Sequence, residues 1–291
     1  MLFRLAVVLY LSLTGLLLFA QNSGIQGVVT DTSGAVVPNA SVTVTNLATG
    51  VVNHAATNEQ GFYTVPLLPA GRYKVDAAAS GFAPQQRPEM RLEVGQTARA
   101  DFEMSVGTVA ETINVSASAA LLQTETTDVG QVIDNKRIVE MPLNGRNYLQ
   151  LAQFTVGVLP GRQLGRGARS GEEGGFVSMG LAAAQNNVLL DGNDNSSRTS
   201  GGPLGFEAQA VKPAVDAVAE FKVVTNNTSA EYGYRTGAKV LVTTKSGTND
   251  FHGSLYEFLR NDKLDGTNFF ANRAGSVKPP YRQNQFGGTF G

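Results

Sequence analysis

Cysteine is absent from the 291 residues, and that one absence removes disulfides, thiolate metal sites and cysteine nucleophiles together. Histidine is nearly absent as well. His54 and His252 are the two present, far apart and in differently patterned stretches, so a histidine triad or a zinc site has no basis. Charge is sparse, at 16% of residues, and Lys plus Arg (23) nearly cancels Asp plus Glu (24) for a net charge of −1. No dense Lys/Arg cluster occurs, so the basic field that nucleic-acid binding requires is missing and that partner class is set aside. What is abundant is glycine, with 33 residues, and the length suffices for two domains with buried cores.

One short stretch organises the rest. Glu111-Thr112-Ile113-Asn114-Val115-Ser116-Ala117 alternates polar and apolar residues, so an extended chain places Ile113, Val115 and Ala117 on one face. A compact β-rich unit ends before it near Met104, and a Gly-rich unit follows it. A strand with no neighbour of its own is a free edge, open to pairing with another protein.

Residues 1–20 read as an export signal: Arg4 supplies the positive start, Leu5 to Phe19 the apolar run and Ala20-Gln21 the cleavage site. Leu18 is larger than the residue preferred before a cut. The run falls short of the about 20 apolar residues a membrane-spanning helix needs, so cleavage is expected over anchoring.

Residues 21–104 are expected to form an antiparallel β-sandwich. Its strands are read at Ile25–Val29, Ser41–Thr45, Gly61–Val65, Arg72–Asp76, Arg91–Val94 and Ala100–Met104, with Gly, Pro and Asn turns between them. Asp31, Glu59 and Asp76 read as solvated turn and strand-face carboxylates, and His54 as a surface residue. The order Gly27, Asp31, Gly34, Pro38-x-Ala40, Gly61-Phe62-Tyr63 and Leu68-Pro69-Ala70-Gly71-Arg72-Tyr73 resembles the carboxypeptidase regulatory-like domain. That resemblance implies a transthyretin-like interaction module without catalysis.

Residues 105–127, rich in Ala, Ser and Thr, are expected to be a tether carrying the alternating strand. Residues 128–247 read as a mixed α+β unit. Structure resumes at Gln131-Val132-Ile133, and Asn147 is placed to cap a short helix over Tyr148–Phe154. A helical turn is expected within Ala214–Ala219, and the runs Glu220–Val224 and Ala238–Lys245 are expected to pair in one sheet. Gly165-x-Gly167-x-x-Ser170 lacks the strand–helix setting of a dinucleotide loop and reads as a surface loop. Asp191-x-Asn193-x-Asn195 starts like a calcium loop, but Ser196 stands where Gly is required and Gly202 where the bidentate Glu belongs, so a turn accounts for it. Glu172-Glu173, in a flexible loop, lacks the burial a catalytic carboxylate needs. No catalytic site, metal or cofactor is expected.

Leu143-Asn144-Gly145-Arg146-Asn147, Asn187–Gly192, Asp216–Val224, Ser229-Ala230-Glu231-Tyr232-Gly233 and Thr244-Lys245-Ser246-Gly247-Thr248 follow the order of a TonB-dependent receptor plug. With the preceding module, the chain resembles the Oar-like TonB-dependent outer-membrane receptors from end to end. One departure is that Gly237-Ala238 stands where the family usually has Gly-Gly.

The resemblance implies that Glu111–Ala117 is the energy-coupling box, pairing with TonB and hence with its inner-membrane energising complex. It places residues 21–104 in the periplasm and the plug inside an outer-membrane barrel. Flexibility alone suggests that Gly161–Gly175 and Gly192–Gly205 face the substrate, with Arg162, Arg166, Arg169, Asn193 and Asn195 as candidate contacts.

Residues 248–291 begin a barrel, with strands at Phe251–Leu259 and Arg282–Phe290 around an aromatic, polar loop. Gln283, Gln285, Gly287 and Thr289 alternate with Asn284, Phe286, Gly288 and Phe290, polar inward and apolar toward lipid. The resemblance implies about 22 strands, so the chain is expected to be part of a longer receptor whose missing barrel meets the lipid. The rival expectation is a secreted adhesion protein built on the sandwich with a Gly-rich extension.

Overall fold

The computed structural model describes residues 23–107, 113–114, 127–143, 146–160, 176–181, 185–196, 209–233, 235–267 and 269–290. The expected signal, 1–20, lies outside them.

The N-terminal unit contains β1 (Gly24–Asp31), β2 (Ser41–Asn46), β3 (Val52–Ala56), β4 (Phe62–Val65), β5 (Gly71–Ala78), β6 (Gln85–Leu92), β7 (Thr97–Arg99) and β8 (Phe102–Met104). One sheet holds β1 between β4 on one side and β7 and β8 on the other, while β3-β2-β5-β6 builds the second. The two-residue period of each strand points Ile25, Val29, Tyr63, Val65 and Phe102 at Val42, Val44, Tyr73, Val75 and Ala77, filling one core. Tyr63 and Tyr73 keep their hydroxyls satisfied there, donating to the Ala100 and Pro69 carbonyls at 2.6 and 2.7 Å, and burial pushes both phenols upward in pKa.

Three details differ from the sequence reading. β1 runs parallel to β7 and β8, because the chain crosses from the second sheet through the Glu93–Gln96 turn and re-enters beside β1 in the same direction. β3 carries no buried residue, so no apolar alternation marked it. β6 starts at Gln85 and contains Pro88, which the sheet accepts where its register against β5 shifts.

A two-residue strand follows, β9 (Ile113–Asn114). The central unit then comprises β10 (Val129–Asp134), a helix Asn135–Glu140, a 3-10 helix Tyr148–Phe154, β11 (Val158–Pro160), β12 (Phe176–Ser178), β13 (Asn187–Leu190), β14 (Asn193–Asp194), β15 (Val218–Asn226) and β16 (Lys239–Thr244). Short 3-10 turns at Val215–Ala217 and Ala230–Tyr232 flank β15. Its main sheet has the order β10-β15-β16-β13-β14.

Local chemistry explains the pieces. Asn147 Oδ1 accepts from the Leu149 amide at 3.1 Å and caps the Tyr148–Phe154 helix. Asp191 and Gly192, at φ 47° and 78°, form the tight turn between β13 and β14. Gly237 admits no side chain, since a Cβ would lie 2.6 Å from Asn186 Oδ1, whereas its neighbour Ala238 is fully buried in the core. The glycine that matters is therefore present. The helical side of the sheet is closed by Val218, Phe221, Val223, Val240 and Val242 against Ile138, Leu151 and Tyr148, whose ring meets Phe221 edge-on at 5.4 Å.

The chain ends in a hairpin, β17 (Gly253–Asn261) with β18 (Arg282–Phe290), in continuous antiparallel register from Gly253↔Phe290 to Asn261↔Arg282. Leu255, Leu259, Phe286 and Phe290 are exposed on one face, while Ser254 and Thr289 hydrogen-bond at 2.8 Å on the other. The connecting loop contains a short helix, Phe269–Arg273.

Candidate functional site

The alternating segment was expected to have no neighbour. Of its residues, Glu111, Thr112, Val115, Ser116 and Ala117 lie outside the described residues, and the placed pair corrects the expectation. Ile113 and Asn114 pair in parallel with Gln85 and Gln86, making β9 the outermost strand of the sheet β3-β2-β5-β6-β9. The cause is local. Without β9, β6 would present a row of unpaired backbone groups, and the sequence leaving β8 is held beside it. Ala83 donates to the Ser105 carbonyl at 2.9 Å, and Phe82 bridges Val106. A strand tethered a few residues away reaches that edge at high effective concentration. The far edge of β9 has no partner strand among the described residues.

A second constellation escaped the sequence reading. On the side of the central sheet opposite its helices, alternation places Glu220, Lys222, Lys239, Leu241 and Thr243, all buried. The sandwich meets Glu220, Lys222 and Leu241. Glu220 Oε1 accepts from the Val94 amide at 2.6 Å and Oε2 from Arg91 Nη2 at 3.3 Å. Lys222 Nζ donates to the Gly95 carbonyl at 3.2 Å, with Asp128 at 3.9 Å. Beside them Val94, Tyr232 and Leu241 form an apolar cluster, joined by Ala70 and Leu189. Burial is the larger influence on both charges: it pushes the Glu220 carboxyl up and the Lys222 ammonium down, against the hydrogen bonds and ion pairs that favour charge. The alternation of Glu220-Phe221-Lys222-Val223 was visible in the sequence, but it looks the same for a solvated face as for a covered one.

The substrate-facing candidates divide. Arg162, Arg166 and Arg169, like the loop 161–175 with Glu172-Glu173, lie outside the described residues. Asn193 is exposed. Asn195 is a correction: it is buried, donates from Nδ2 to the Val211 carbonyl at 2.8 Å and accepts from the Val211 amide at 2.9 Å. Its amide ties a connecting loop to β13 and is not offered to a ligand. Asp191 has a similar structural task, accepting from the Thr244 amide at 2.9 Å and hydroxyl at 2.8 Å at the end of β16. Asp31 closes its turn by accepting from Ser33 and Ala35, bonds that hold its carboxyl below the ordinary range.

Where the hairpin meets the central unit, the Arg146 guanidinium stacks 3.7 Å from the Phe258 ring centre. A cleft of about 400 Å³ opens there between Pro142, Leu143 and Arg146 on one side and Phe258, Arg260 and Gln285 on the other.

Comparison with known proteins gives these arrangements a setting. Residues 24–105 match the carboxypeptidase regulatory-like domain, and residues 243–291 match an outer membrane beta barrel domain. Over 286 residues the chain is 27% identical to the TonB-dependent transporter Oar of Myxococcus xanthus, covering 94% of this chain and 25% of that protein. The chain thus spans about a quarter of the length of this curated relative. Partial likenesses to solved structures include the outer membrane transporter YddB of Escherichia coli (14% identity, 54% of this chain, 23% of that chain, TM-score 0.43). Another is the ferric enterobactin receptor of Pseudomonas aeruginosa (23% identity, 47% of this chain, 20% of that chain, TM-score 0.38). The two domain matches and the similarity along almost the whole chain mark it as TonB-dependent receptor-like. It is similar to Oar, with a carboxypeptidase regulatory-like module ahead of the barrel-forming sequence.

Proposed function

We propose that the chain is the N-terminal part of an energy-coupled outer-membrane transporter, with residues 21–104 in the periplasm and 128–247 as the plug of the barrel. Glu111–Ala117 is its coupling segment. The observation that carries this reading is the position of Ile113–Asn114: a sheet-terminating strand between the sandwich and the central sheet, with one edge unpaired among the described residues. TonB would add to that edge through backbone hydrogen bonds, which constrain side chains little and resist force along the strand. The exposed apolar face of the β17–β18 hairpin supports the outer-membrane half of the reading, since in water such a face has nothing to bury against.

The test is Ile113→Pro, which removes a backbone donor and fixes the strand's φ. Binding of soluble TonB to the full chain should fall by at least tenfold. Unchanged binding would overturn the assignment of this segment.

A further inference from the structure

We propose that the face of the central sheet carrying Glu220, Lys222 and Leu241 is a docking surface for the sandwich's Val94–Gly95 turn, so that the two units move as one body. The chemistry is specific to a turn. Two residues of opposite charge on one strand, spaced to share a face, take an adjacent amide and carbonyl: Glu220 the Val94 N–H, Lys222 the Gly95 C=O. Between them Val94 enters the apolar cluster with Leu241 and Tyr232. The fit leaves no room at residue 95. A Cβ built there would lie 2.7 Å from Leu241 Cδ1, and the backbone φ of +61° already favours glycine.

A second point of attachment lies just past β16, where the barrel-forming sequence begins. Asn249 donates its amide to the Ala48 carbonyl at 3.2 Å and its side chain to the Thr49 carbonyl at 3.0 Å. Residues 107 and 127, which bracket the coupling segment, then belong to one docked assembly. Tension on that segment would be shared by the sandwich and by β15. That mechanical consequence rests on the coupling-segment reading; the docking does not.

Hydrogen exchange of the full chain tests the docking without reference to TonB. Glu220→Ala removes the acceptor of the Val94 amide, and Val94→Asp sets a carboxylate against Glu220 while sparing the sandwich core, to which Val94 does not belong. Both variants should exchange the Val94 amide at least tenfold faster and increase the radius of gyration in solution scattering. Protection of Val42 and Val75 in the sandwich, and of Phe221 and Val240 in the central sheet, should be kept. Unchanged Val94 exchange and unchanged dimensions in both variants would overturn the proposal. So would loss of core protection in both, since the residues would then hold up the fold and not the junction. A failed TonB assignment would leave either result intact.

Discussion

The two faces of the central sheet are equally dry and chemically opposite. The helical face is built from Val218, Phe221, Val223, Val240 and Val242, whose contribution is apolar area removed from water. The opposite face holds Glu220 and Lys222 around Leu241 where the sandwich meets it, all buried. There, desolvation opposes every charge, and what favours the contact is directed bonding to a turn's backbone. One face holds the sheet's own fold together; the other recognises a neighbour. That contrast separates stability from docking by strand position alone.

Phe221→Ala should have the largest effect, about 3–5 kcal/mol from the lost side chain and the cavity it leaves. Urea unfolding followed by circular dichroism should show it, while a change below about 1 kcal/mol would mean the helical face is not the core.

Glu220 should lend the docked state a pH dependence of predictable sign. Burial raises its folded-state carboxyl above the ordinary range, with desolvation outweighing the Val94 and Arg91 bonds and Glu93 adding to the rise. A carboxyl whose folded pKa exceeds its unfolded value contributes stability that is full below the unfolded value and lost as pH rises through the folded one. Docking should therefore weaken as pH rises through the raised Glu220 value and tighten as pH falls through it. Glu220→Gln should flatten the titration, and an unaltered profile in that variant would assign the dependence to another group.

Lys222→Met should do least. Its ammonium is buried with one carbonyl at 3.2 Å and a carboxylate only at 3.9 Å, so its attractive partners do not fully offset desolvation. A shape-matched apolar side chain leaves the Gly95 carbonyl without its donor, so a loss of about 1–2 kcal/mol is expected. A loss of more than about 2 kcal/mol would show that the charge itself holds the turn.

Alternation and turn chemistry made much of this fold legible. The Asn147 cap and its helix fall at Tyr148–Phe154 as the residues predict, the Glu220 and Lys239 runs pair antiparallel, and the terminal hairpin follows its polar-apolar pattern. The failures share one physical origin: a strand's pattern reports its own faces and not what covers its edge or its polar side. Thus β3 passed unnoticed, β9 was given no neighbour although β6 offered one, and the buried state of Glu220 and Lys222 left no trace. Asn195 failed for the converse reason. A polar residue in a Gly-rich stretch looks available until the backbone it binds, 16 residues away at Val211, is known.

The most direct test of the central claim is a single-cysteine scan over Glu111–Ala117, clean because the chain has no native cysteine. In the full chain, cross-linking to TonB should peak within this segment and vary along it with the two-residue period of a paired strand. Cross-linking confined to sites on the sandwich, or absent from all seven positions of the segment, would contradict the account.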